Sequence, residues 1–177
     1  KSSGLGQDLG WWNGIVGGDF DQDGDIDYIV SNLGKNSKYH GNPLHPSVIY
    51  YGDVDGSGVS RIVEAKFEGE ICYPERGKSC STAAIPSLAG KFKSFKGFAL
   101  ASLDDIYPNQ KLNQALRLEV NRLESVLLRN DRGQFRVEPL PALAQLSPAF
   151  GLAAGDFDSD GTMDVVMAQN DFSPQPE

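Results

Sequence analysis

The chain has 177 residues, enough for one domain with a real core, in ordinary globular proportions of 40% hydrophobic and 23% charged side chains. Its net charge of −8 argues against a nucleic-acid binder, which needs a basic face, and no apolar run approaches the roughly 18 residues of a membrane-spanning helix. Much of the acidity is concentrated in two short stretches, which reads as metal ligation rather than as a disordered acidic tail.

The chain begins at Lys1 without a Met, and is expected to be processed or a piece of a longer protein. A polar, glycine-rich lead runs into Trp11 and Trp12. Neighbours on an extended segment point opposite ways, so one ring is expected inward and the other near the surface, as a packed residue or a sugar-stacking platform. A strand from Gly14 to Phe20 enters GGDFDQDGDID, and a second runs from Asp27 to Asn32.

Within that stretch Asp19, Asp21, Asp23, Asp25 and Asp27 stand at alternate positions around Gly24. Brought together in a tight turn they repel one another unless a cation lies between them. Oxygen-only ligands select a hard ion, and Ca²⁺ accepts six to eight of them. Position twelve, a bidentate Glu in an EF-hand, is Val30 here. The loop therefore closes at its ninth residue and passes straight into a strand.

NLGKNSKYHGNPLHPS is loop and holds both histidines, His40 and His45, with no motif around them. SVIYYGDV is the next strand and enters a damaged copy of the loop with Asp53, Asp55, Ser57 and Gly58, but with Arg61 in the closing place. A guanidinium there can pair with Asp53 and Asp55 in place of an ion, so metal at this copy is doubtful. RIVEAKFEGEICY reads as one long strand.

Cys72 and Cys80 flank a Tyr–Pro turn and either close a small disulfide loop or remain two free thiols. From Pro74 to about Leu116 the period becomes helical, with segments near 83–88, 98–107 and 109–116. In the second, Phe98, Leu100 or Ala101, and Ile106 share a side, as in an amphipathic helix laid on a sheet.

LRLEVNRLESVLLRN and QFRVEPLP then flank Asp131-Arg132-Gly133 as a hairpin. A connector leads to a strand from Leu152 and a second intact loop, AGDFDSDGTMD, with Asp156, Asp158, Asp160, Gly161, Thr162 and Asp164, and Met167 at position twelve. Position seven is Asp25 in one copy and Thr162 in the other, as expected if it offers its carbonyl. A strand to Gln169 and a Pro-rich tail, SPQPE, end the chain. Glu64, Glu68, Glu70, Asp104 and Asp105 are acids without a place in the loops, and their spacing does not group them as a catalytic pair.

A repeat of this kind signals a propeller or array. The expected fold is mainly β, a partial β-propeller of about three blades with a small α-helical insertion. The expected blocks are 1–73 with one intact and one degenerate loop, 74–116 as the insertion, and 117–177 with the second intact loop.

The DxDxDGxxD loops, preceded by Gly or Ala and followed by D-[YV]-[IV]-V, resemble the FG-GAP or VCBS repeats. These are the calcium-bearing propeller blades of integrin α chains and of large secreted bacterial proteins, here similar to a subgroup with a helical insertion. The resemblance implies about two Ca²⁺ ions, one on Asp19, Asp21, Asp23, Asp25 and Asp27, the other on Asp156, Asp158, Asp160, Thr162 and Asp164. It further implies a secreted, periplasmic or cell-surface setting, remaining blades from the parent chain, and a noncatalytic role in adhesion, carbohydrate binding or protein recognition. The alternative is part of a propeller-type polysaccharide lyase or glycoside hydrolase.

Overall fold

The computed structural model describes residues 3–171, and the SPQPE tail lies outside them. In chain order come strands β1 (Gly14–Gly18), β2 (Asp27–Ser31), β3 (Ser47–Gly52), β4 (Arg61–Glu68) and β5 (Ile71–Pro74). Helices α1 (Lys78–Ala84), α2 (Ser87–Lys91), α3 (Phe95–Ala99), α4 (Leu103–Ile106) and α5 (Asn109–Gln114) follow. Strands β6 (Leu116–Val120), β7 (Val126–Asp131), β8 (Gln134–Pro139), β9 (Ala149–Gly155) and β10 (Asp164–Gln169) complete the order, with a 3₁₀ turn at Ala142–Gln145 before β9. The protein is mainly β, its sheets are antiparallel, and none closes into a barrel.

Two compact units emerge, and they do not follow the expected blocks: Gly41–Asn121 is one, and the chain up to His40 joined by the chain from Arg122 is the other. Strand pairing is the reason. β2 bonds to β1 on one side and to β7 on the other, from Tyr28↔Leu128 to Val30↔Val126. The whole of Gly41–Asn121 is thus inserted between the second and third strands of a sheet ordered β1-β2-β7-β8.

In this first unit the β7–β8 hairpin turns on Arg132 and Gly133 at φ 52° and 85°, the two positive values that a tight hairpin turn requires. The separate hairpin β9–β10 lies against β1. Gly18 permits that approach, since a Cβ there would stand 2.8 Å from the Met163 methyl.

Asn32, fully buried, ties separate segments of this unit together. Its side-chain oxygen accepts the N–H groups of Trp11 and Leu33, and its amide donates to the carbonyls of Arg122 and Glu124. Gln145, also buried, accepts the Ser125 N–H and donates to the carbonyls of Ser125 and Leu140. Buried amides satisfied in this way cost little to bury, whereas either one left alone would cost about 1–3 kcal/mol.

The second unit is a four-stranded sheet, β5-β4-β3-β6, with its helices on one face. Val48, Val63 and Ala65 from the strands meet Ile85, Leu88, Phe98, Leu103, Ile106 and Leu112 from the helical segment. The expected helix over 98–107 is broken in two. Ser102 caps α4, accepting the Asp105 N–H while Asp105 accepts the Ser102 N–H, and this capping box starts a new helix. Phe98, Ala101 and Ile106 face inward as expected, while Leu100 stays 70% exposed.

The single strand expected over 61–73 is instead a hairpin, β4 and β5, turned at Gly69 with φ 60°. Likewise 116–130 divides into β6 and β7, which belong to different units. Cys72 and Cys80 are free. The Cys72 thiol packs against the second unit's core, and its burial pushes its pKa up to about 11. Cys80 sits exposed on α1, so the two side chains do not meet as a disulfide.

Leu103→Ala should lower stability by about 2–5 kcal/mol, because it empties a fully buried position. Ile62→Ala, on the exposed side of β4, should change it by no more than about 0.5 kcal/mol. Thermal melts of the two variants beside the parent chain measure both.

Candidate metal centres

The two intact loops fold alike because their own backbone amides bind their own carboxylates. Asp19 accepts the N–H groups of Asp23 and Gly24 at 3.1 Å each, and Asp156 those of Asp160 and Gly161 at 3.1 and 3.0 Å. Asp27 accepts the Phe20 N–H at 3.2 Å, and Asp164 the Phe157 N–H at 3.0 Å. Asp23 accepts from Asp25, and Asp160 from Thr162, at 2.8 Å in each.

To close these bonds Gln22 and Ser159 take φ of 62° and 64°, and Gly24 and Gly161 take 92° and 86°. The left-handed conformation costs a residue with a Cβ roughly 1–2 kcal/mol. Both loops bear this at the fourth position and avoid it with glycine at the sixth. The strands clamp the ends in the same register, Gly18↔Asp27 and Gly155↔Asp164.

The result is convergence. One carboxylate oxygen from each of Asp19, Asp21 and Asp27 lies within 4.8 Å of the others, and so it is for Asp156, Asp158 and Asp164. Oxygens bound to one Ca²⁺ at 2.3–2.6 Å can stand at most about 5 Å apart, so the spacing fits such an ion. A hydrogen-bonded carboxylate oxygen still has a second lone pair to offer. These two acidic groups could therefore hold a metal ion.

The other expected ligands lie outside these sets. Asp23 and Asp160 are engaged with the turn amides, and Thr162 donates its hydroxyl to Asp160, holding that carboxyl below its ordinary pKa. Asp25 is drawn away to the Arg132 N–H at 2.9 Å, consistent with a carbonyl role for position seven.

The loops differ in their surroundings. Asp27 is wholly buried and takes a second hydrogen bond from the Asn130 N–H at 2.7 Å, and Asn130 Nδ2 donates to the Ile26 carbonyl. Arg129 on β7 reaches Asp21 at 2.5 Å and lowers its pKa by that hydrogen bond. No basic side chain reaches Asp156, Asp158 or Asp164 among the described residues. Between the loops, Gln22 Nε2 donates to the Gly161 carbonyl at 3.2 Å, so they lie side by side.

The damaged copy closes in matching register, Gly52↔Arg61, but its charges are met from within the chain. Arg61 pairs with Asp55 at 3.6 Å. Asp53 is not held by Arg61, as the sequence suggested, but by Lys111 of α5 at 3.1 Å. That contact spans 58 positions, and no local pattern announces it. Asp53, Asp55 and Ser57 form no convergent acidic group.

Of the acids outside the loops, Glu64, Glu68 and Asp105 have structural partners, and Asp104 stands in the first turn of α4. Glu64 binds Arg76 at 3.1 Å, Glu68 pairs with Lys66, and Asp105 belongs to the capping box. His45 stands beside Phe67 and 4.0 Å from Glu70, and His40 is exposed.

Trp11 is half-buried against Tyr39 and Trp12 is exposed, as expected for neighbours on an extended segment. Trp12 borders an apolar hollow of about 220 Å³ with Leu5, Ile15, Val30, Val126, Leu128 and Val137. That is below the roughly 300–1,000 Å³ of small-molecule sites. Its polar member, Asp8, is tied to Arg122. No helix among the described residues is long and apolar enough to cross a membrane. No family model, curated protein or solved structure matches the chain at a significant level.

In chelator, Asp27→Ala should cost about 2 kcal/mol or more, since it orphans two N–H donors at a fully buried position, whereas Asp164→Ala, at a half-buried position where one N–H donor is orphaned, should cost about 1 kcal/mol. Urea titrations of both variants compare them directly. The Lys111 hydrogen bond holds the Asp53 carboxyl below its ordinary 3.8. Its contribution is therefore present above that value and lost as the pH falls through the lower folded value. Lys111→Met should melt below the parent near neutrality, and the two curves should converge in acid when melting temperature is followed against pH.

Proposed function

We propose that the chain is a calcium-stabilised segment of a β-propeller, noncatalytic, serving adhesion, carbohydrate binding or protein recognition in a secreted, periplasmic or cell-surface protein. The observation that carries this reading is the pair of loops with one hydrogen-bonding scheme, set side by side and bridged by Gln22 and Gly161.

Each loop joins the first two strands of an antiparallel unit, β1 to β2 and β9 to β10. β1-β2-β7-β8 has the four-stranded form of a propeller blade. β9 and β10 correspond to the inner half of the next one, and in this reading further blades come from the parent chain or from a partner. The likeness of the loops to FG-GAP or VCBS repeats supports the same assignment.

Ca²⁺ bound in the loops would neutralise the converging carboxylates and cross-link the two strands of each hairpin. Asp19, Asp21 and Asp27 would hold one ion and Asp156, Asp158 and Asp164 the other, with carbonyls and solvent completing the shells. Extracellular modules work with dissociation constants of about 10⁻⁴–10⁻³ M because the ion is abundant there.

Calcium added after chelation should raise the melting temperature, by the equivalent of about 2.7 kcal/mol at a hundredfold excess over Kd. Mg²⁺ should do less, since it demands a smaller octahedral shell and retains water. Asp21→Ala and Asp158→Ala should each remove part of the rise. A melting temperature indifferent to calcium and chelator would refute the reading.

A further inference from the structure

The two loops share their internal bonds, yet among the described residues a base attends the first alone. Arg129 Nη1 donates to Asp21 Oδ2 at 2.5 Å. The same guanidinium is held by Glu138, through Nε to Oε1 at 3.3 Å and Nη2 to Oε2 at 3.4 Å. β7 and β8 place the two residues on neighbouring strands, with Arg129↔Arg136 and Leu127↔Glu138 in register. No further strand pairs with the second hairpin among the described residues, and none delivers a base to Asp158, the counterpart of Asp21.

Asp21 is one of the three carboxylates that converge in the first loop. A divalent ion placed among them competes with the guanidinium for that carboxylate and is repelled by its charge at a distance of a few ångströms. The fork geometry of Arg allows a partial release. Nη1 can leave Asp21 while Nε and Nη2 stay on Glu138, so the cation need not be stranded without a partner.

We propose that Arg129 is a displaceable internal counter-cation of the first loop, so that calcium enters there only by moving the guanidinium from Asp21 onto Glu138. The second loop, which no base meets among the described residues, fills at lower calcium in this chain. The inference rests on the reading of both loops as calcium sites. It adds that they are unequal, with Arg129 and Glu138 setting the difference.

Calorimetric calcium titration of the Asp158→Ala chain isolates the first loop. In that background Arg129→Gln should tighten calcium binding by about tenfold, the effect of removing one positive charge a few ångströms from the ion. Glu138→Gln should weaken it, because the guanidinium then leans on Asp21 alone. In the otherwise unaltered chain, Arg129→Gln should bring the two apparent affinities together.

Calcium binding that is unchanged or weaker in Arg129→Gln, with the fold intact by circular dichroism, would overturn the proposal and leave the calcium reading standing. Absence of calcium binding in the parent chain would remove both. Glu138→Gln retains Arg129, so it decides the question even where Arg129→Gln fails to fold: weaker binding supports the proposal and unchanged binding refutes it.

Discussion

Carboxylates that repel one another are held together in each loop by hydrogen bonds from the backbone that carries them. Asp19 and Asp156 each take two turn amides, and Asp27 and Asp164 each reach back to the residue following the first carboxylate. Charge-assisted bonds of this type are stronger than neutral ones. They offset both the left-handed backbone at Gln22 and Ser159 and part of the mutual repulsion. The paired strands on either side depend on that arrangement, because the closing aspartate is also the first residue of the returning strand.

The middle copy shows the same electrostatic problem solved by other means. Its hairpin closes in matching register, and Arg61 and Lys111 bring two positive charges to Asp55 and Asp53. One of those charges belongs to a helix of the insertion, so the loop and α5 are fastened together where the intact loops are open to an ion. The first intact loop stands between these extremes. It has converging oxygens like the second and a partial internal cation like the middle copy.

What the sequence discloses here follows from the range of each interaction. The loops span nine residues, so ligand spacing, turn glycines and the strands that follow could all be read from local pattern. The break between α3 and α4 was also open to reading, since Ser102 with Asp105 three residues later is a capping-box pattern. The hydrophobic period across 98–107 runs through it and masks it.

The pairing of β2 with β7 has no local signature. Apolar alternation shows that each is a strand but not which neighbour it takes, and LRLEVNRLESVLLRN looks continuous although its halves join different sheets. Lys111 was hidden for the same reason, its partner Asp53 lying on a hairpin far back in the chain.

The inserted unit leaves and returns at nearly one point. Gly41 lies so close to the Val120 carbonyl that a Cβ would collide with it. For β2 and β7, a long excursion of chain therefore acts, once folded, as a short tether. The entropy of bringing two segments together rises with the logarithm of the free chain between them, and ordering the insert first shortens that chain. Early formation of the insert would favour completion of the host sheet, and variation in its length need not shift the register of the strands that frame it.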